Sequence, residues 1–197
     1  MRRTALILAT AALVLAGCQD SGGNAGGAGG AEEGATPRPA RSTSEVVEAW
    51  LEPGSCPTLA EANAASGLNF DTADYAGFEP TETDLTCILG DLEAAIAAGS
   101  VSEPIALIEA SSGSEYVPFA DRDAAQQAGA ELADAPEFGA DAFTAYMPGS
   151  AEQPGSCAVI TAEVSGDVTT ALVLTVLGPG MAKDAVCQAA LNLAALR

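Results

Sequence analysis

The segment Ser156–Leu177, which reads SCAVITAEVSGDVTTALVLTVL, decides the fold of this chain. Two runs rich in β-branched residues flank Ser165-Gly166-Asp167, and this arrangement is typical of a tight β-hairpin turn. The second run is apolar on both faces, with Leu172 and Leu174 on one face and Val173 on the other. A strand that is covered on both faces lies inside a sheet, so the segment predicts a hairpin that contributes a central strand.

Two helices are predicted upstream of this hairpin. Ser42 and Glu45 have the spacing of a capping box, and apolar residues follow at helical intervals until a Pro-Gly pair ends the pattern. Thr58 and Glu61 repeat the capping box before an Ala-rich stretch that ends near Gly67. The apolar residues of the first helix are Val46, Val47, Trp50 and Leu51.

Other segments complete the expected domain. Strands are predicted over residues 83–90, 104–111 and 142–147. A helix is predicted over residues 121–134, with Asp121 as its N-cap. A last helix follows Pro179-Gly180, and its apolar stripe consists of Val186, Ala190 and Leu193, with Cys187 and Leu191 beside it. The pattern predicts an α+β fold in which an antiparallel β-sheet packs against helices.

The first 17 residues have the features of a secretory signal peptide. Arg2 and Arg3 supply a positive start, and the uncharged run from Ala5 to Ala16 is too short to cross a hydrocarbon core of about 30 Å as a helix. The run ends in Leu15-Ala16-Gly17-Cys18, which resembles the lipobox of bacterial lipoproteins. The resemblance implies cleavage before Cys18 and a diacylglyceryl group on the Cys18 sulfur.

An anchor of this kind implies a location at the cell membrane, on its extracytoplasmic face. Two or more acyl chains make such an anchor stable, whereas a single chain is marginal. A further acyl chain on the new N-terminal amine is compatible with the same motif. The alternatives are an ordinary cleaved signal followed by a chance cysteine, or an uncleaved membrane anchor.

Residues 18–41 follow as the acylated cysteine and a low-complexity stretch. Seven of residues 19–41 are glycine, and none is a large apolar residue. Such a stretch cannot bury enough surface to offset the entropy of ordering it, so a flexible tether is expected, with a reach of roughly 25–30 Å. The globular domain is expected over residues 42–197.

Four cysteines remain after Cys18, namely Cys56, Cys87, Cys157 and Cys187. An even number of cysteines in an exported chain predicts two disulfides, and four cysteines can pair in three ways. We favour Cys56–Cys87 and Cys157–Cys187, which join near neighbours. A Cys₄ zinc site is disfavoured because close C-x₂₋₄-C pairs are absent from the sequence, and free thiols are the other alternative.

The domain as a whole resembles a family of lipoproteins from high-GC Gram-positive bacteria that has no assigned function. The resemblance is carried by Cys56-Pro57-Thr58-Leu59 before a short helix, by Ser156-Cys157-Ala158-Val159 at the start of the hairpin, and by Asp184-x-x-Cys187 in the last helix. It implies an antiparallel sheet packed with helices and paired cysteines. It supplies no catalytic residue.

The charge balance excludes several classes of function. The chain carries 7 basic and 27 acidic residues and no histidine, for a formal net charge of −20. Nucleic acid is therefore not expected as a partner, because a phosphate backbone requires a basic surface. Without histidine, imidazole cannot serve as a general base, as a partner of a nucleophile or as a metal ligand.

Carboxylates are the remaining candidates for catalysis or for metal binding. Two acids can serve glycoside hydrolysis or help to bind calcium, but close pairs are expected by chance among 27 acids. The pairs are Asp71/Asp74, Asp121/Asp123 and Asp134/Glu137. Lys183, the only lysine, is expected in the first turn of the last helix and exposed. No catalytic, cofactor-binding or metal-binding residue is therefore assigned.

Large aromatic side chains could line a ligand groove, or they could fill gaps that an Ala-rich core leaves. We favour the second interpretation. The residues concerned are Trp50, Tyr75, Phe78, Tyr116, Phe119, Phe138, Phe143 and Tyr146.

The sequence thus predicts a lipid-anchored envelope protein with a non-enzymatic binding or accessory domain. Its partners would be the membrane, through acyl chains on Cys18, and an unidentified envelope protein or small ligand. The alternatives are a carrier of a small hydrophobic ligand, for which a deep apolar cavity is expected, and a hydrolase that uses two convergent carboxylates.

Overall fold

A computed structural model of the chain describes residues 41–74, 83–113, 121–150 and 153–197. The expected signal peptide, Cys18 and the tether up to residue 40 lie outside the described residues. The residues described from Arg41 onward belong to one compact unit, Arg38–Arg197. None of the helices in the described ranges is long and apolar enough to span a membrane.

The predicted α+β class is confirmed. In the described residues, seven strands form one sheet in the order β1-β2-β3-β7-β6-β5-β4, and every neighbouring pair is antiparallel. The strands are β1 (Ala73–Asp74), β2 (Asp84–Leu89), β3 (Ile105–Gly113), β4 (Glu131–Asp134), β5 (Phe143–Met147), β6 (Gly155–Ser165) and β7 (Val168–Gly178). The helices are α1 (Thr43–Leu51), α2 (Leu59–Ser66), α3 (Leu92–Ala98), α4 (Arg122–Gln127) and α5 (Lys183–Ala194).

The predicted hairpin with its Gly-Asp turn is confirmed. Ser165 of β6 pairs with Val168 of β7, so the turn consists of Gly166 and Asp167 alone. Gly166 has a φ of +64°, which suits glycine because it has no Cβ to clash with the backbone. β7 lies between β3 and β6, as its two apolar faces predict.

Both predicted capping boxes are present. The backbone N–H groups of Ser42 and Thr58 each donate to the carboxylate three residues ahead, Glu45 and Glu61, at 2.8 Å. These hydrogen bonds stabilise the charged carboxylates and lower the pKa of both groups. The start of each helix is therefore set by residues within a single turn.

The main core lies between one face of the sheet and helices α1, α2 and α5. Ile108, Leu174 and Val159 lie side by side on β3, β7 and β6, and all three are fully buried on this face. Trp50 from α1 and Leu193 from α5 pack in the same apolar cluster. The predicted stripe of the last helix is thus confirmed as its buried side.

A smaller core lies on the opposite face of the sheet, beneath α4. Val173, Ile160 and Phe143 lie side by side on β7, β6 and β5, and Ala125 of α4 packs against them. The central strands are consequently covered on both faces. Helices α1, α2 and α5 pack against one face, and α4 packs against the other.

The predicted helix over residues 121–134 is wrong in its second half. Helix α4 ends at Gln127, the chain turns at Gly129 with a φ of +89°, and Glu131–Asp134 then form strand β4. Glu131 pairs with Tyr146 and Asp134 with Phe143 on β5. Pairing with a strand that is distant in sequence overrides the helical preference of these residues.

Helix α3 and strand β1 were not predicted. Asp91 caps α3 by accepting a hydrogen bond from the Ala94 backbone at 2.7 Å, and Gly99 ends the helix. None of the residues in α3 is buried, so it lacks the apolar stripe that identifies a helix from sequence. β1 has two residues, too few for an alternating pattern.

Candidate functional site

The cysteines of the domain form two disulfides, with the predicted pairing. Cys56–Cys87 joins the loop after α1 to β2, and the Cα atoms are 5.7 Å apart. Cys157–Cys187 joins β6 to α5, with Cα atoms 5.0 Å apart. No described group of three or more Cys, Asp and Glu residues could hold a metal ion. Cys18, the predicted acylation site, lies outside the described residues.

The carboxylates singled out from the sequence have structural roles where their contacts are described. Asp121 accepts a hydrogen bond from the Asp123 backbone at 2.8 Å and caps α4, as predicted. Asp134 forms an ion pair with Arg122. The side chain of Asp74 lies outside the described residues. The carboxylate pairs therefore give the hydrolase hypothesis no support.

Most of the described large aromatic residues fill the core. Trp50, Phe138 and Phe143 are buried, whereas Tyr146 is half-buried beside the main core. Phe70, for which no role was predicted, is buried as well. The remaining four of the predicted set, Tyr75, Phe78, Tyr116 and Phe119, lie outside the described residues.

The two acidic side chains of edge strand β4 are each held by a cation from a neighbouring helix. Lys183 Nζ lies 2.6 Å from Glu131 Oε2 and 5.6 Å from the centre of the Tyr146 ring. On the other face of the sheet, Arg122 pairs with Asp134 and lies 5.0 Å from the ring of Phe143. Lys183 is half-exposed in the first turn of α5, as predicted.

This arrangement makes Lys183 unsuitable as a nucleophile. The hydrogen bond that Lys183 donates to the Glu131 carboxylate raises the pKa of the Lys183 ammonium, so the charged form is favoured. A nucleophilic amine instead requires a lowered pKa. The ion pairs of Glu131 and Asp134 place charged side chains along edge strand β4. Charged residues on an edge strand commonly protect it against pairing with other chains.

The other two cations of the described residues are also engaged. Arg41 donates to the backbone carbonyls of Glu45 and Arg197. Arg197 donates to the Ser55 carbonyl at 2.9 Å, and its guanidinium lies 5.8 Å from the Trp50 ring. These contacts tie the start of the domain to its end. Each of the four cationic side chains among the described residues therefore already has a polar or ionic contact.

Glu109 is an unusual carboxylate within the sheet. It lies on the α4 side of β3, between Thr86 on β2 and Val173 on β7, so no charged residue is directly opposite. Part of the side chain is exposed, yet its carboxyl group has lost enough water for burial to raise its pKa above the ordinary value of 4.5.

A pH-dependent gain in stability is expected for Glu109→Gln. The raised pKa means that ionised Glu109 disfavours the fold, so wild-type stability falls as the pH rises from 4.5 through the pKa of the folded state. The variant should raise Tm by about 1–3 °C at pH 7 and should leave it unchanged near pH 4. Thermal unfolding followed by circular dichroism at both pH values measures this. The exposed Glu103→Gln is the matched control, and an equal gain at both pH values would contradict the explanation.

A first open depression, the sheet-end depression, lies where β5 ends, β6 begins and α5 approaches. It has a volume of about 380 Å³ and is lined by Tyr146, Gly155 and Met181, among other residues of the loops. Gly149 approaches so closely that a Cβ there would lie 2.6 Å from the Gly155 backbone nitrogen. Glycine is therefore needed for these two backbones to meet.

A second open depression, the α1 groove, lies between α1 and the ends of β3 and β7. It has a volume of about 450 Å³. Val47, which is fully buried, Glu48 and Leu51 line it from α1, and Glu52, the residue that follows the helix, lies beside them. Ser112 and Thr170, which are cross-strand neighbours, form its opposite wall. The groove was not predicted, since its two walls are distant in sequence.

No protein-family model, no curated protein and no solved structure matches this chain.

Proposed function

We propose that the protein is a lipid-anchored protein on the outer face of the cell membrane, whose domain binds a partner rather than catalysing a reaction. The pairing of the cysteines carries this proposal. The four cysteines of the domain are consumed by two disulfides, which are typical of an oxidising compartment outside the cytosol. Because the four domain cysteines pair with one another, none of them is left to pair with Cys18. Cys18 occupies the position that a lipobox requires.

The charge of the chain supports a covalent anchor over an electrostatic one. Loss of residues 1–17 would remove two arginines and no acid, which would make the remaining chain more acidic still. Anionic lipid head groups repel such a surface. Acyl chains on Cys18 supply the missing attraction, because each buried methylene contributes about 0.8 kcal/mol.

The shape of the described surface supports surface binding over the alternatives. Both depressions are open to solvent, whereas a carrier of a hydrophobic ligand encloses most of its cargo. A carboxylate hydrolase needs two acids on either side of the scissile bond. Asp121 and Asp134 are instead engaged in a helix cap and an ion pair.

The intact mass of the protein extracted from membranes tests the proposal. We expect a chain that has lost residues 1–17, carries a diacylglyceryl group on Cys18 and contains two disulfides. Digestion without reduction should yield the linked peptide pairs of Cys56 with Cys87 and of Cys157 with Cys187. An unmodified Cys18 thiol on the purified native protein would overturn the anchor.

A further inference from the structure

The α1 groove combines an apolar lining with a row of acids. Leu51 and Pro53 contribute the accessible apolar lining, while Val47 lies beneath it and is fully buried. Glu48 and Glu52, the C-cap residue, are four positions apart and line the same groove at the end of the helix. Like charges at this spacing destabilise a helix by a few tenths of a kcal/mol when nothing neutralises them.

The acids of the groove have no cation beside them in the described parts of the chain. The two ion pairs found there are formed by Glu131 and Asp134, on the far edge of the sheet. Glu163, on the strand next to the groove wall, accepts a hydrogen bond from Ser44 Oγ at 3.2 Å and adds a third negative charge nearby. The groove therefore combines a small apolar surface with acids that form no ion pair within the described residues.

An exposed apolar residue extends this surface beyond α1. Val168 lies two residues before Thr170 on β7, so both side chains are on the face that α1 covers. Val168 is 44% exposed. Val168 is thus an exposed apolar side chain between the groove wall and the turn.

We propose that the α1 groove binds a short basic and aliphatic peptide segment of a partner protein. Aliphatic side chains would contact Leu51 and Pro53, and lysine or arginine side chains would pair with Glu48 and Glu52. An extended segment with alternating Leu and Lys presents these two sets of side chains on opposite sides. A volume of about 450 Å³ suits a few residues rather than a folded domain. The inference rests on the proposed binding function and names its partner class.

A synthetic peptide provides the probe, with the sequence Gly-Leu-Lys-Leu-Lys-Leu-Gly and blocked ends. It is titrated calorimetrically into the full chain, in phosphatidylcholine vesicles if the purified protein carries lipid and in plain buffer if it does not. Empty vesicles give the baseline. We expect saturable binding that weakens as the ionic strength rises, because salt screens exposed ion pairs. Absence of saturable binding at millimolar peptide would overturn the proposal.

Matched variants locate the binding site. Glu48→Gln with Glu52→Gln should raise Kd about tenfold at low ionic strength, through the loss of two exposed ion pairs. Glu93→Gln with Glu103→Gln removes the same charge from exposed positions near the other end of β3, about 23 Å away along the strand, and should change Kd less than twofold. Equal weakening by both double variants would show attraction to overall charge and would overturn the proposal.

Two control peptides separate the contributions of charge and apolar contact. Replacing the leucines by serine should weaken binding, and replacing the lysines by glutamate should abolish it. A serine peptide that binds as tightly as the probe would refute the apolar contact. Thr170→Arg, which introduces a cation into the groove wall, should also abolish binding, and tight binding to this variant would contradict the location. The mass measurement on Cys18 is independent of every one of these outcomes.

Discussion

Cys18→Ala is expected to move the protein from the membrane fraction to the soluble fraction. Alanine has no thiol to carry a diacylglyceryl group, so the two acyl chains that would hold the domain are lost. The uncharged run over residues 5–16 cannot replace them, since about 20 apolar residues are needed to span the hydrocarbon core. Fractionation followed by an alkaline wash, which strips peripheral proteins, should retain most of the wild type and little of the variant.

Gly17→Ala is the matched control for this experiment. It changes the neighbouring residue but preserves both the thiol and the small side chain before it, so membrane retention should match that of the wild type. Retention of Cys18→Ala through the alkaline wash at the wild-type level would contradict the lipid anchor. Release of both variants would show that the segment, rather than the thiol, determines retention.

Local chemistry explains which elements of the fold could be predicted from the sequence. A capping box satisfies backbone groups within one helical turn, so Ser42 and Thr58 mark helix starts whatever surrounds them. A two-residue turn fixes the register of its hairpin, so Gly166 and Asp167 determined the pairing of the two longest strands. The disulfide pairing was predictable because each bond joins cysteines that are near neighbours in sequence.

Contacts between distant segments explain what the sequence could not predict. Glu131–Asp134 reads as part of a helix, but hydrogen bonding to β5 makes it a strand. The α1 groove exists because Ser112 and Thr170 become neighbours when β3 pairs with β7 opposite α1. The raised pKa of Glu109 likewise depends on burial within the sheet, which no local pattern reveals.

Removal of the Cys157–Cys187 disulfide should cause a large loss of stability. The double variant Cys157→Ala with Cys187→Ala is expected to lower the free energy of unfolding by about 3–4 kcal/mol, because the unfolded chain regains the freedom of a loop closed over 30 residues. For a domain of this size, that loss corresponds to a fall in Tm of about 6–16 °C. Both cysteines are replaced together so that a single free thiol does not cross-link the protein. Thermal and urea unfolding measure the change.

The second disulfide provides a control that tests the cause. Cys56–Cys87 closes a loop of nearly the same length, with a sequence separation of 31, so the chain-entropy account predicts nearly equal losses for the two double variants. If a disulfide also holds two elements together in the folded state, the two double variants should instead lose different amounts of stability. The Cys157–Cys187 bond holds α5, whose buried residues include Val186 and Leu193, onto the sheet. The Cys157–Cys187 double variant would then lose more free energy of unfolding than the other, and its faster hydrogen exchange would be confined to α5. That result would show that the bond also prevents local opening of the helix. A loss below about 1 kcal/mol for both variants would contradict either account.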